Sequence, residues 1–120
     1  GGYGADTLTG GSNADAFEYL SQLDIGDLIT DFVSGTDGLY LSQSAFNALV
    51  WNGNDLDAND LLSGAGLSSS NTGAHLVYDT SSGKLYYDAD ASGAGSGVMI
   101  AQFGTVTHPT LQVTDNRPIT

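Results

Sequence analysis

The sequence predicts an all-β protein, and three observations carry that prediction. Glu18 is the single Glu among 14 acidic residues, and the Asp, Asn, Gly and Ser that dominate instead favour turns over helices. Apolar residues make up 40% of the chain and fall in short strand-like clusters, which argues against disorder. The first 18 residues repeat with a period of nine. A chain of 120 residues is long enough for one domain with a modest core.

The charge balance excludes several classes of partner. The 14 acidic residues face two basic ones, Lys84 and Arg117, which gives a net charge of −12. Nucleic acid and anionic membrane surfaces both require clustered Lys and Arg, so we expect neither as a ligand. The chain has no Cys and therefore no disulfide, and a metal ion is another source of cohesion. No apolar run approaches the length of a transmembrane helix.

The opening repeat predicts a metal-binding coil. Gly1–Thr9 and Gly10–Glu18 share the pattern Gly-Gly-x-Gly-x-Asp-x-apolar-x, a nonapeptide typical of calcium-binding parallel β-helices. Asn13 replaces the third Gly of the second repeat, and Asn is the non-glycine residue that best tolerates the left-handed backbone region. Six residues of each unit form a turn, and the remaining three form a short strand with one inward apolar residue, Leu8 or Phe17.

Such short strands need an ion to neutralise the aspartates beside them. Calcium accepts six to eight oxygens from carboxylates and backbone carbonyls. The candidate ligands are the carboxylates of Asp6 and Asp15 and the carbonyls of Gly2, Gly4, Gly11 and Asn13. The alternative is that both aspartates are ordinary turn residues, but their matching positions in two repeats favour coordination.

The segment after Tyr19 predicts two strands joined by a turn at residues 34–38. In an extended segment, Asp27, Ile29 and Asp31 share one face, and Leu28, Thr30 and Phe32 share the other. Asp27 is the first choice for a downstream carboxylate that completes a calcium site, ahead of Asp24, Asp31 and Asp37. A solvated strand residue is the alternative for Asp27.

The remaining elements are predicted in order along the chain. Ser42 or Ser44 is expected to cap a short helix that runs to Leu49 and buries Ala45, Phe46 and Leu49, and residues 57–66 to form a helical turn that stops at Gly64. A hairpin is predicted from residues 74–79 and 84–88 around Thr80-Ser81-Ser82-Gly83, followed by a third strand over residues 97–103. The tail breaks at Pro109.

Other chemistry is weakly supported by the residues. Residues 88–93 resemble the start of an EF-hand loop, in which Asp88 and Asp90 are the candidate carboxylates. Met99 stands where that loop needs a bidentate Glu, so a turn of small residues is the favoured alternative. No His-Glu-x-x-His or Gly-x-Ser-x-Gly motif is present, and we expect no catalytic site. Trp51 and the tyrosines are more simply explained by packing than by stacking on sugars.

Four segments together resemble the C-terminal end of RTX (hemolysin-type calcium-binding) proteins, including the C-terminal domain of serralysin-like proteases. They are the two nonapeptides, DLITDFVSGTDGLYLS, LVYDTSSGKLYYDADASGAGSGVMIAQF and the final HPTLQVTDNRPIT. The resemblance implies a parallel β-roll that binds calcium, export by type I secretion from a C-terminal signal, and folding outside the cell. The final Asn116-Arg117-Pro118-Ile119 departs from the family, which usually has Phe and aliphatic residues there.

On this basis we expect the end of a calcium-binding parallel β-roll in residues 1–18. It should continue into a small antiparallel, β-sandwich-like cap with one or two short helices in residues 19–120, the whole forming one continuous structural domain. We expect a fragment of a longer extracellular chain, non-catalytic itself, whose partners are calcium, upstream repeats or an effector domain, and the secretion machinery. The alternative functions are an adhesion or surface-layer module whose cap binds carbohydrate or a protein, and a fragment of an enzyme.

Overall fold

The computed structural model describes residues 3–22, 24–67, 74–89 and 97–119, and within these ranges the regular structure is almost entirely β-strand. The helical elements in these ranges are two 3-10 turns, Ala58–Asp60 and Val113–Asp115. The strands are β1 Thr7–Leu8, β2 Ala16–Tyr19, β3 Asp27–Ile29, β4 Gly38–Ser42, β5 Trp51–Asn52, β6 Asp55–Leu56, β7 Leu61–Gly64, β8 Leu76–Asp79, β9 Lys84–Tyr87, β10 Val98–Phe103 and β11 Asn116–Ile119. The predicted all-β class is confirmed.

The first four strands alternate between two sheets. β1 and β3 lie side by side in a six-stranded sheet of order β1-β3-β10-β9-β8-β7, and β2 and β4 lie in a three-stranded sheet of order β11-β4-β2. Both pairs are parallel, with Thr7 opposite Leu28 and Phe17 opposite Leu39. The chain therefore winds as a coil, and each loop between the sheets stacks on the loop of the next turn.

Two later strands extend the parallel pairing in each sheet. β10 pairs with β3 and β11 pairs with β4, again in parallel. Between β4 and β10 the chain forms a small β5–β6 hairpin and the strands β7, β8 and β9, and the β8–β9–β10 segment is antiparallel. The parallel pairing thus runs past residue 18, where the sequence pattern of the repeats ends.

The core lies between the two sheets and is rich in aromatic rings. The ring centroids of Phe32 and Phe103 are 4.9 Å apart, and those of Tyr78 and Phe103 are 5.8 Å apart. Leu39 and Leu41 of β4 are fully buried beside them. Burial of each such side chain contributes about 1.5–3 kcal/mol, so this core supplies cohesion that the two-residue strands lack.

The predicted helix from Ser42 to Leu49 is wrong, and Ala45, which was expected to be buried with it, is only partly buried. Residues 43–48 form consecutive turns, in which Ser42 Oγ accepts the N–H of Ala45 and its carbonyl accepts the N–H of Phe46. Phe46 and Leu49 are buried as expected. One turn closed by a Ser side chain places the same apolar residues inward without a helix.

The second helical prediction is right over a single 3-10 turn, Ala58–Asp60, and wrong beyond it. Asp57 caps this turn by accepting the N–H of Asn59. The chain then enters β7, and Gly64 ends a strand where a helix stop was predicted. Pairing of β7 with β8 decides the conformation of these residues.

The strand that begins at Asp27 is shorter than the alternation of inward and outward residues predicts. Asp27 and Ile29 point inward as one face, but β3 ends at Ile29. Phe32 is buried as well, because the chain bends after the strand and the period of two is broken. The strands β3 and β4 lie in different sheets and do not pair with each other.

The predicted hairpin and its third strand are confirmed. β8 and β9 pair in antiparallel register around the turn at residues 80–83, and β10 pairs with β9. The tail holds a strand that the sequence did not indicate. Pro118 lies within β11, and an edge strand accommodates a proline because its outer N–H groups need no partner.

Candidate metal centre

The loop between β1 and β2 has the backbone that its glycines predict. Gly11 has φ of 91° and Asn13 has φ of 71°, and the equivalent of Asn13 in the first repeat, Gly4, has φ of 91°. Asn13 is the one non-glycine residue with a positive φ in the part of the chain that the structure describes. The left-handed conformation predicted for Asn13 is confirmed, and it turns the loop back on itself.

The carboxylate of Asp15 lies inside this loop. A Cβ atom added at Gly10 would come within 2.5 Å of Asp15 Oδ2, so the glycine leaves the space that the carboxylate fills. The Oδ2 atoms of Asp6 and Asp15 are both buried, and neither has a hydrogen-bond partner within the described residues. A buried carboxylate oxygen without a partner is costly, and a cation is the ligand that relieves the cost.

The next turn of the coil supplies carboxylates that close the loops from the other side. Asp27 Oδ1 accepts the N–H of Asp6 at 2.8 Å. Asp31 accepts the N–H groups of Gly10 at 2.9 Å and Gly11 at 2.7 Å. Each bond joins a carboxylate in one turn to an amide in the turn before it, so adjacent loops are held by carboxylate–amide contacts.

The same contact recurs on the three-stranded sheet. Asp37 accepts the N–H of Asp15 at 2.9 Å. Asp115, which precedes β11, accepts the N–H of Gly35 at 2.8 Å and the hydroxyl of Ser34 at 2.6 Å. We call Asp27, Asp31, Asp37 and Asp115 the carboxylate ladder. Hydrogen bonds to charged acceptors contribute about 1.5–3 kcal/mol each, less where water screens them.

The surroundings of Asp27 and Asp31 shift the pKa values of their carboxyls in opposite directions. The N–H groups of Gly10 and Gly11 stabilise the charged form of Asp31 and hold the pKa of its carboxyl below the usual range. Burial raises the pKa of Asp27, against the opposing effect of the N–H of Asp6. Burial and the charge of Asp27 also raise the pKa of Tyr19, which keeps that hydroxyl protonated.

The predicted ligands are brought together in pairs. Asp6 lies against Asp27, and Asp15 lies against Asp37, in each case through a backbone N–H. Asp24 instead accepts the N–H of Leu20 within its own loop at 3.1 Å.

The remaining candidates lie apart from this pairing. Asp88 is buried at the end of the β8–β9 hairpin, where its N–H donates to the carbonyl of His75. Gly2 and Asp90 lie outside the described residues, as does most of the EF-hand-like segment.

Within the described ranges, no three His, Cys, Asp or Glu side chains gather as a group that could hold a metal ion. A calcium site at Asp6 or Asp15 therefore depends on backbone carbonyls for most of its ligands, as the nonapeptide predicts. Sequence reasoning missed Asp115, whose partners Ser34 and Gly35 lie about eighty residues away along the chain. Its position directly before a strand, like that of Asp15 and Asp37, was the available signal.

Sequence reasoning also missed Asp60, a buried acceptor in the 3-10 turn before β7. Its Oδ2 accepts the N–H of Val50 at 2.8 Å. Its Oδ1 accepts the N–H of His75 at 3.0 Å and lies 2.6 Å from Nδ1 of the same residue. Asp60 thereby links the 3-10 turn Ala58–Asp60 to the residue that precedes β8.

Comparison of the chain with protein-family models, curated proteins and solved structures finds no match. In the described residues, no helix has both the length and the apolar character needed to cross a membrane.

Proposed function

We propose that this chain is a non-catalytic calcium-binding module whose N-terminal loops are ordered by the ion. The observation that carries the proposal is the buried, unpartnered Oδ2 atom in both Asp6 and Asp15. These two carboxylates, with the carbonyls of Gly4, Gly11 and Asn13 and of Gly2, would hold the ion. Calcium supplies there a positive charge and a coordination shell that accepts carbonyl and carboxylate oxygens together.

The architecture we propose is the end of a parallel β-roll followed by an antiparallel cap. The alternation of β1, β2, β3 and β4 between two sheets, with parallel pairing in each, supports the roll. The antiparallel pairing of β8, β9 and β10 supports the cap. A coil needs such a cap because an unpaired last turn invites edge-to-edge association.

Calcium would stabilise the fold by linkage. The net charge of −12 opposes compaction, and the ion offsets part of that repulsion where carboxylates are buried. Binding to the folded state alone contributes RT ln(1 + [L]/Kd) per site, about 2.7 kcal/mol when calcium exceeds Kd a hundredfold. Binding free energy thereby becomes folding free energy.

The cellular role we propose follows the family resemblance. The module would end a larger extracellular protein exported by type I secretion, with calcium, upstream repeats or an effector domain, and the export machinery as its partners. The acidic composition supports this role, because such a chain stays extended where calcium is scarce and folds where it is plentiful.

The test is a calcium titration followed by calorimetry and circular dichroism. We expect calcium to bind and to raise the β-sheet signal, and chelator to reverse both. Asp6→Asn and Asp15→Asn should each weaken calcium binding at least tenfold, because each removes a charged ligand. Asp55→Asn is the matched control, since the Asp55 side chain is 44% exposed and pairs with Arg117 at a long 3.8 Å.

The proposal fails if the spectrum and the unfolding midpoint are the same in calcium and in chelator. It also fails if Asp6→Asn and Asp15→Asn bind calcium as tightly as the Asp55→Asn control. Magnesium, which requires a tighter octahedral shell and keeps its waters, should not replace calcium in the titration.

A further inference from the structure

The six-stranded sheet ends at β7, Leu61–Gly64, whose outer side has no neighbouring strand in the described residues. On its inner side, β7 pairs with β8 in parallel, and Leu61 lies opposite Leu76. Leu61 packs against the core, so Leu62 lies on the opposite face of the sheet, where it is 39% exposed. The outer side of this strand, which we call the β7 edge, therefore offers backbone groups and an exposed apolar side chain together.

One hydrogen bond shows which backbone groups point outward along the β7 edge. The N–H of Thr80 donates to the carbonyl of Gly64 at 3.0 Å. In a parallel ladder, the N–H and C=O of one residue point to one neighbouring strand, and those of the next residue point to the other side. Gly64 and Leu62 therefore bond to β8, and the N–H and C=O groups of Leu61 and Ser63 point outward. Among the described residues, no backbone group bonds to them from that side.

The other edges of the two larger sheets carry features that hinder pairing, and the β7 edge carries none of them. β1 is two residues long, β2 contains Glu18, and β11 contains Arg117 and Pro118. Short strands, charged side chains and proline are common means by which an edge strand avoids pairing with another chain. Leu61–Gly64 has no charge and no proline, and its register against β8 has no bulge. β7 is thus the edge most open to a further strand.

The charges near β7 allow a second copy of this acidic chain to approach. Two copies with a net charge of −12 repel each other over most of their surfaces. No Asp, Glu, Lys or Arg lies between Asp60 and Asp79. Asp60, directly before β7, is buried and accepts the N–H groups of Val50 and His75. Asp79 is buried as well and accepts two hydroxyls of its own turn, so both carboxylates are bonded within the protein.

Antiparallel pairing makes the β7 edge complementary to itself. Leu61 of one copy lies opposite Ser63 of the other, and each such pair exchanges both N–H···O bonds through the outward groups. Leu62 then lies opposite Leu62 of the second copy in a non-hydrogen-bonded pair, in which the Cα atoms are about 4.5 Å apart. A two-fold axis at this position covers the exposed leucine with its own equivalent, as an interface between identical copies requires.

We infer that the β7 edge is a contact between two copies of this chain, which it joins into one continuous sheet. The contact is weak, because a strand of four residues buries far less than the roughly 1,200–2,000 Å² of a stable interface. It lies at the opposite end of the sheet from β1 and therefore leaves the candidate metal centre free.

Sedimentation equilibrium in calcium, from about 10 μM to about 1 mM protein, tests the contact. We expect a monomer–dimer equilibrium that stops at the dimer, because the two-fold pair uses both β7 edges. Leu62→Lys sets two like charges opposite each other and should weaken the dimer at least tenfold. Val106→Lys changes the net charge equally at another exposed apolar residue and is the matched control, which should associate as wild type does.

Disulfide trapping tests the register. The chain has no cysteine, so a single introduced thiol reports on one position. Leu62→Cys should form a covalent dimer on oxidation, because the paired Cα atoms fall within the disulfide range of about 4.4–6.8 Å. Ser63→Cys is the control for register, since Ser63 of one copy lies diagonally from Ser63 of the other, about 7–8 Å away, and should not be trapped.

A chain that stays monomeric throughout this concentration range overturns the inference. A dimer that Leu62→Lys does not weaken also overturns it, because the contact then lies elsewhere, for example at the open end of the coil. Trapping of Ser63→Cys as efficiently as Leu62→Cys, or growth beyond a dimer, contradicts the two-fold antiparallel pair. If Leu62→Lys loses the circular dichroism spectrum of the wild type, Leu62→Ser and the trapping experiment decide the question in its place.

Discussion

Aspartate has three different roles in this molecule, and the surroundings of each residue select the role. Asp31 lies at the surface and accepts two loop amides, which hold its carboxyl pKa down. Asp27 is 1% exposed, and burial raises its pKa. Asp15 keeps a buried oxygen without a partner in the described residues. The residue type alone predicts turns and metal ligands, so the division among roles needed the tertiary contacts.

The raised pKa of Asp27 predicts opposite effects of Asp27→Asn with and without calcium. The folded-state pKa lies above the unfolded value, so ionisation of Asp27 opposes folding as the pH rises through the folded pKa. In chelator at neutral pH, Asn removes the buried charge and still accepts the N–H of Asp6, so the free energy of unfolding should rise. In calcium, loss of a candidate ligand should cancel or reverse that gain.

Urea unfolding of both proteins in chelator and in calcium measures the two effects. Asp55→Asn serves as the exposed control and should change little in either condition. Equal destabilisation by Asp27→Asn in both conditions would contradict the assigned environment, since it would show that the buried charge is fully compensated by the protein.

The lowered pKa values of Asp31 and Asp79 predict acid sensitivity. Asp79 accepts the hydroxyls of Ser81 and Ser82 and the N–H of Gly66, and these bonds hold its carboxyl pKa below the usual range. A depressed folded pKa contributes stability that is present above the unfolded pKa, about 3.9, and is lost as the pH falls through the folded value.

Stability in chelator should therefore fall as the pH drops below about 5, and Asp31→Asn should flatten part of that fall. Urea unfolding at a series of acidic pH values measures it. A wild-type profile that does not change over this range, or an Asp31→Asn profile as steep as that of wild type, would show that these hydrogen bonds contribute no stability.

At the scale of elements, the sequence predicted what local chemistry determines. The left-handed backbone of Asn13 and the turn of the β8–β9 hairpin depend on nearby residues, and both are confirmed. β11 depends on β4, which lies far away along the chain, and Pro118 masks its strand pattern. The spacing of apolar residues near Phe46 fits a helix and consecutive turns equally well, so tertiary contacts had to choose between them.

In the candidate site too, the sequence predicts some residues, and only tertiary contacts reveal the others. The repeat of glycines predicts that Asp6 and Asp15 lie in loops, because the repeat is a local pattern. Asp115 joined the carboxylate ladder through contacts with Ser34 and Gly35, and no local pattern encodes such a pairing.

Alanine substitutions at two glycines with similar φ angles distinguish the cost of a left-handed backbone from the cost of a steric clash. Gly53 has φ of 70° with open space where a Cβ would lie, while Gly83 has φ of 76° and a Cβ there would meet the Phe103 carbonyl and the His108 ring. Gly53→Ala should cost about 1–2 kcal/mol for the left-handed conformation alone. Gly83→Ala should cost more, because it also displaces the tail from the hairpin.

Chemical denaturation of the two variants gives the comparison directly. The excess of Gly83→Ala over Gly53→Ala measures the contact between the hairpin turn and residues 103–108, since the backbone term is common to both. If the two variants lose the same free energy of unfolding, the contact at Gly83 contributes no stability, and β11 alone holds the tail.

At the scale of the whole molecule, the strands β8 to β10 and the loops around β1 differ in how much buried surface stabilises them. The antiparallel strands β8, β9 and β10 pack against the core between the sheets, which includes Tyr78 and Phe103, and burial raises the pKa of Tyr78 to about 12. The two-residue strand β1 and its loops bury far less and keep unpartnered carboxylate oxygens. Under the proposed function, the first region is held by packing and the second by calcium.

This division predicts where chelation loosens the protein. Amide hydrogen exchange should increase most in residues 4–19 when calcium is removed, because the charge that offsets Asp6 and Asp15 is lost there. Exchange in β8, β9 and β10 should increase less, since these strands contribute buried residues to the aromatic core. Mass spectrometry of exchanged peptides in calcium and in chelator resolves the two regions. A uniform increase along the chain would mean that calcium and core packing stabilise one cooperative unit, and an increase confined to β8–β10 would place the ion in the cap.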